Sequence, residues 1–288
     1  DLIVRLLLQP GDVVLIDDPC YFNFQALIQA HQLKAVAIPF TAQGPNIEEF
    51  KQARGLKHKI YLTNSVIHNP TGASLSIQTA FQIAKLAEQA DLVIIEDDIF
   101  SDFEYQPAPR YVALAGFEQV IQIGSFTKTI SAAVRCGYII ASHHQIDRLI
   151  DLRIATNFSH SHLNAEILLH ALMDSSYNKH IEWLKKQLIK AMNDCIRKLA
   201  VLDIHPWLIP KAGIFLWCRL PQGILATELS KYCLQHEVIL APGNAFSQSE
   251  NAVHFMRFNV AQCIDQHVFD VLKQGILALS RQQEAGIE

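Results

Sequence analysis

After a Pro10–Gly11 turn, short apolar runs alternate along the chain with stretches whose apolar residues recur at helical spacing. Val13–Ile16, Ala35–Ile38, Lys59–Leu62, Leu92–Ile95, Val120–Ile123 and Cys136–Ala141 read as strands. Phe22–Ala30, Ile47–Ala53 and Ile77–Gln89 read as helices between them. Most of the strand runs are continuously apolar, which predicts burial on both faces. Strands separated by helices predict an α/β fold, a mostly parallel sheet covered by helices.

From about Ile146 to Ala200 the pattern turns helical, as in "HIEWLKKQLIKAMNDCIRKLA". The remainder mixes strands (Gly213–Arg219, Val253–Phe258) with helices (Ala226–His236, Asp265–Leu279). This change predicts a large domain over 1–172 and a smaller α+β domain over 173–288. The opening "DLIVRLLLQPGD" reads as the second half of a helix, with Asp1 as a candidate cap. The expectation is a longer gene product whose N-terminal part precedes Asp1.

Half of the 288 residues are hydrophobic, enough for one large domain or two ordinary ones. The net charge of −4, from 24 basic and 28 acidic residues, argues against gripping nucleic acid through the overall field. No apolar run reaches the length of a membrane span. The 6 cysteines lack C-x-x-C spacing and read as reduced, buried thiols of a cytoplasmic protein. His143–His144 and His160–His162 have no matching carboxylate or cysteine cluster, so they read as helix ends or surface and no metal is expected.

Ligands of open α/β sheets collect beyond the carboxyl ends of the strands. Successive strands here are followed by "DDPCY", "TNSVIHNPTG", "EDDIF" and "GSFTK". Four polar or ionisable groups are thus delivered to one edge. "GSFTKTISAAVRCGYI" adds a puzzle, because its two cations, Lys128 and Arg135, sit in a stretch that otherwise reads as interior. "SFTK" also matches an S-x-x-K nucleophile motif at Ser125, but the S-D-N and K-T-G motifs that accompany it are absent. No G-x-G-x-x-G follows a strand, which argues against a nicotinamide enzyme.

"HNPTG", "EDD", "SFTK" with an arginine seven residues on, and "FMRFN" resemble, in order and spacing, fold-type I pyridoxal-phosphate enzymes of the class I/II aminotransferase group. Within it, "IIEDDIFSDFEY…GSFTKTISAAVRCGYI" looks most like the aminotransferase-like domain of MocR-type transcriptional regulators of the GntR family. In those proteins this domain follows a DNA-binding winged helix-turn-helix. The resemblance implies pyridoxal 5'-phosphate as cofactor, with Lys128 forming the aldimine. That chemistry needs an amine of lowered pKa, which an apolar setting favours.

The resemblance further implies that Asp97 holds the pyridine nitrogen protonated, while Asp98, on the opposite strand face, is structural. Ser125 and Arg135 bind the phosphate, which accounts for the two interior cations. Asn69, before a candidate cis proline, donates to the phenolate oxygen, and Tyr21 stacks on the ring. Arg257 takes a substrate carboxylate where the domains meet. Gly213 and Gly243 are expected to meet backbone requirements.

Two departures stand out. The tyrosine that aminotransferases carry just after the aspartate is replaced by Ile99 and Phe100. The family's phosphate loop lies upstream of Asp1, so this chain alone is expected to bind the cofactor weakly or not at all. The favoured function is an effector-sensing domain that exchanges its aldimine with an amino acid or amine. The alternative is a free-standing aminotransferase acting on an amino acid and a 2-oxo acid. A homodimer is implied in either case.

Overall fold

The computed structural model describes residues 1–53 and 58–285. Its larger sheet contains β1 (Val13–Asp18), β2 (Lys34–Thr41), β3 (Gly44–Pro45), β4 (His58–Thr63), β5 (Val93–Asp97), β6 (Val120–Ser125) and β7 (Gly137–Ile140). Their order is β3-β2-β1-β4-β5-β6-β7. β2, β1, β4, β5 and β6 are parallel, and the edge strands β3 and β7 pair antiparallel. The predicted mostly parallel sheet is therefore present.

Residue alternation sends each strand's side chains into two different cores, as a pleated strand requires. Leu15, Tyr61, Ile94 and Val120 face α3 (Ile47–Ala53), α4 (Ile77–Gln89) and α5 (Tyr111–Ala115). Val14, Ile16, Leu62, Ile95 and Ile121 face α1 (Leu2–Leu7), α2 (Phe22–Ala30) and α6 (His143–Asn157). α4 shows why such segments are helical. Thr79, Ala80, Ile83, Ala84 and Ala87 form one buried stripe, and Ser76 caps its start by accepting from the Thr79 N–H at 3.1 Å.

α7 (His162–Met173) and α8 (Tyr177–Ala200) lead to a second sheet of β8 (His205–Pro206), β9 (Phe215–Arg219), β10 (Ala241–Pro242) and β11 (Phe255–Asn259), ordered β10-β11-β9-β8. Its pairings are all antiparallel. α8, α9 (Ala226–Gln235) and α10 (Gln266–Ala285) contribute to its core. That core also takes Val66, Ile67, Phe100 and Phe103 from the loops after β4 and β5, so the two sheets share one apolar body. The residue pair 172–173, the expected domain boundary, lies in the last turn of α7.

Some local expectations change. Asp1 does not cap α1; its carboxylate instead pairs with Arg5 at 2.9 Å and His31 at 2.7 Å. The strand expected over Val253–Phe258 begins only at Phe255, because Glu250–His254 close into a 3-10 turn held by Ala252 N–H to Ser249 carbonyl. Five of the cysteines are buried, Cys136 is partly so, and all are free thiols. Gly243 does meet a steric need, since a Cβ there would lie 2.0 Å from the Ala252 carbonyl oxygen. Gly213 combines φ +93° with a would-be Cβ 2.5 Å from Ile67.

Candidate functional site

The chain reverses direction across the sheet between β1 and β4, the switch point where open α/β sheets open a crevice. β1 leads to Tyr21, β4 to the His68–Gly72 turn, β5 ends on Asp97, and β6 leads to Lys128. Asn64 ties two of these together. Its Nδ2 donates to the Asp97 carbonyl at 2.7 Å, and its Oδ1 accepts from the Asn69 N–H at 2.8 Å. Sequence reading passed over Asn64, although it stands in the same "TNSVIHNPTG" block as Asn69.

Asp97 is buried, and its carboxylate accepts a single backbone N–H, from Ile99 at 3.3 Å. Burial pushes its pKa up to about 7, against the opposing pull of that N–H and of the Lys128 charge. The Lys128 charge thus favours the ionised form of Asp97, while that of Asp98 opposes it. Asp98 points elsewhere, as expected for a structural residue. It accepts from Arg110 Nε at 3.1 Å and Gln122 Nε2 at 2.9 Å, and burial raises it to about 6.

Lys128 and Arg135 are both exposed, which corrects the reading of their stretch as interior. β7 is an edge strand whose Gly137, Tyr138 and Ile140 are exposed too, so the described residues leave this region open. The desolvation expected around Lys128 is likewise absent among them. The next residue, Thr129, is buried, and its carbonyl accepts from His180 Nε2 of α8 at 2.9 Å. Arg135 takes a left-handed φ of 49° just before β7, and among the described residues its guanidinium has no partner. Ser125 Oγ lies 2.8 Å from Thr127 Oγ1 and 3.2 Å from the Cys136 carbonyl, either of which can take its one hydroxyl proton.

The small sheet supplies Arg257 from β11. Its Nη1 donates to Asn69 Oδ1 at 3.0 Å, across 188 positions of sequence. Its guanidinium carbon lies 4.4 Å from the Phe215 ring centre and 4.8 Å from that of Phe246. Among the described residues its buried Nε has no partner, and burial pulls the pKa down to about 10. A buried, under-satisfied guanidinium is a ready anion receptor.

Asn69 thus turns its oxygen to Arg257, and among the described residues its Nδ2 donates to nothing. The Asn69–Pro70 bond is cis, as expected, and so is Asp18–Pro19. Tyr21 is partly buried, and Asn23 Nδ2 donates to its hydroxyl at 2.9 Å. Burial raises its pKa, Arg257 lowers it and Asp97 raises it, so the phenol feels both ends of the site. Phe100, in the place of the absent tyrosine, is buried against Phe103 and meets Phe215 edge-on at 5.5 Å. Phe215 and Phe246 were not anticipated; alternation within "GIFLWCR" was the one signal that put Phe215 on the Arg257 face.

A mostly parallel sheet with its ionisable groups gathered at one edge and an anion receptor from a second sheet defines a two-sheet α/β protein with a ligand crevice. The chain belongs to the aminotransferase class I and II family, whose pattern matches residues 1–273. It is 28% identical over 263 residues to the HTH-type transcriptional regulator YdfD of Bacillus subtilis (strain 168), covering 88% of this chain and 54% of YdfD. It is 26% identical over 291 residues to aromatic-amino-acid aminotransferase 1 of Thermococcus litoralis, covering 95% of this chain and 68% of that enzyme. The fold matches a multiple substrate aminotransferase from Thermococcus profundus with TM-score 0.87 and 22% identity, over 98% of this chain and 73% of that one. The chain spans about half the length of the regulators it matches.

Proposed function

We propose that this chain is the pyridoxal-phosphate-binding, effector-sensing domain of a MocR-type transcriptional regulator. The observation that carries the reading is the buried Asp97 at the end of β5, tied through Asn64 to Asn69 and through Asn69 to Arg257. A buried carboxyl with one weak donor fits the cationic nitrogen of a pyridine ring, which would stabilise its ionised form. When bound, pyridoxal phosphate supplies an aldehyde that condenses with primary amines and a ring that withdraws electrons.

In this reading Asp97 holds the proton at the ring nitrogen and Lys128 presents the primary amine. Asn69 donates from Nδ2 to the ring's phenolate oxygen while its Oδ1 orients Arg257. Tyr21 stacks on the ring, Ser125 and Arg135 hold the phosphate, and Arg257 binds the carboxylate of an amino acid. Two observations favour the sensor over the enzyme. YdfD and YdcR are both HTH-type transcriptional regulators, and Phe100 lies in core packing where a donor would assist turnover.

DNA would be bound through an N-terminal domain outside this chain. The aminotransferase relative supports a second reading, a free-standing transaminase. We also propose a cytoplasmic homodimer with its large–small division at 172/173. Among the described residues no helix is long and apolar enough to cross a membrane. Support for the dimer is the uncovered apolar surface of α6 and α7, where Phe158 is 85% and Leu163 70% exposed.

The test is to mix the protein with pyridoxal phosphate, follow visible absorbance, reduce with borohydride and map the modified peptide. The expected adduct is on Lys128; an adduct on other lysines alone overturns the reading. A spectral response to amino acids without catalytic turnover supports the sensor, whereas rapid amino transfer to a 2-oxo acid supports the transaminase.

A further inference from the structure

A second arginine shares the face of the small sheet that carries Arg257. Register places Arg219 opposite Phe255 and Trp217 opposite Arg257, and directly opposed residues of an antiparallel pair project to the same side. The two arginines are separated by rings. Trp217 stacks on Phe255 at 5.3 Å and 7°, and meets Phe246 edge-on at 5.7 Å. Phe246 in turn covers Arg257. Arg257 thus lies on one side of an aromatic wall and Arg219 on the other.

Beyond the wall is a cavity of about 530 Å³, within the size range of small-molecule sites. Its lining mixes aromatic rings with polar and ionisable side chains. Trp207, Trp217 and Phe40 supply rings, Arg219 and His254 supply cations or donors, and Asp18 supplies a carboxylate. Trp207 is held beside Trp217 by its N–H, which donates to the Trp217 carbonyl at 2.8 Å. Yet Trp207 stays 41% exposed, which leaves indole surface free to cover a ligand.

The charged groups are also available. Among the described residues the Arg219 and His254 side chains make no ion pair or hydrogen bond. Among the described residues Asp18 has no cationic partner, and burial raises its pKa against the pull of the Ser247 hydroxyl. A ligand ammonium beside it would remove that penalty.

We propose that this cavity is a second ligand site that takes a free aromatic amino acid. The ring lies against Trp207 and Trp217, the carboxylate pairs with Arg219, and the ammonium pairs with Asp18. This site goes beyond the Arg257 crevice and needs neither the cofactor nor Lys128. It adjoins that crevice through Trp217, through Thr71 in the turn that carries Asn69, and through Asp18 on the strand that leads to Tyr21.

The test is a titration of L-phenylalanine into the cofactor-free chain, followed by tryptophan fluorescence and calorimetry. The unaltered chain is expected to bind saturably. Arg257→Ala is expected to stay within about twofold, whereas Arg219→Ala and Trp207→Ala weaken binding about tenfold or more, as loss of a charge-assisted pair or a stacked ring requires. 3-Phenylpropionate and phenethylamine, each lacking one charge, are also expected to bind about tenfold more weakly. Arg219 and Trp207 are exposed, so folding is checked by the thermal transition, and Arg219→Lys should recover part of the affinity. Absence of saturable binding overturns the site. So does binding that survives Arg219→Ala but is lost in Arg257→Ala, because the ligand then occupies the other crevice.

Discussion

Arg257 on β11 and Asn69 in the turn after β4 are joined by one hydrogen bond of 3.0 Å, and that bond connects the two sheets at their ligand crevice. Among the described residues it leaves donors to spare on both partners, including the buried Arg257 Nε and the Asn69 Nδ2. In the proposed function one side chain, Asn69, serves both the anion receptor and the ring.

Asn69→Ala is expected to weaken amino-acid binding about tenfold, the effect of losing one hydrogen bond to a charged group. It should also shift the visible spectrum of the cofactor-loaded protein. Equilibrium titration checks the first effect and absorbance the second.

Lys128→Ala should abolish the borohydride-fixed cofactor adduct. Because Lys128 is exposed, the substitution should leave unfolding free energy within about 0.5 kcal/mol of the unaltered protein in urea.

Asp97 makes stability depend on pH in the cofactor-free chain. Its folded pKa, about 7, lies above its ordinary value of 3.8, so between those values the folded state holds a proton that the unfolded state has lost. Stability should therefore fall as pH rises from about 4 to about 7, by at most about 4 kcal/mol, and level off above. Asp97→Asn should reduce that slope in urea unfolding at pH 5 and pH 8, with the raised Asp98 carboxyl keeping a share of it, and cofactor affinity should drop in the same variant.

Phe100→Tyr tests whether restoring a phenol restores a donor. Phe100 is buried against Phe103 and Phe215, so the added hydroxyl is expected to cost about 1–3 kcal/mol of stability, measured by urea unfolding. No gain in amino-transfer rate should follow.

Leu163→Glu places a charge on the uncovered apolar face of α7. It should lower self-association in sedimentation without changing the circular dichroism of the isolated chain.

Local pattern carried much of the architecture. Continuous Val/Ile runs such as Val93–Ile95 belong to strands buried on both faces, and the stripe in Ile77–Gln89 has only one helical solution. Alternation also placed Asp97 and Asp98 on opposite faces, because a pleated strand has period two. The four motifs reached one sheet edge because parallel strands share a direction. Spacing carries no information on what covers a segment, so the interior-looking stretch around Lys128 and Arg135 proved exposed beside an edge strand. Nor does it report meetings between distant segments. The Arg257–Asn69 bond, the Phe215–Phe246 clamp and the cavity behind Trp217 were decided only when the small sheet settled over the carboxyl ends of the large one.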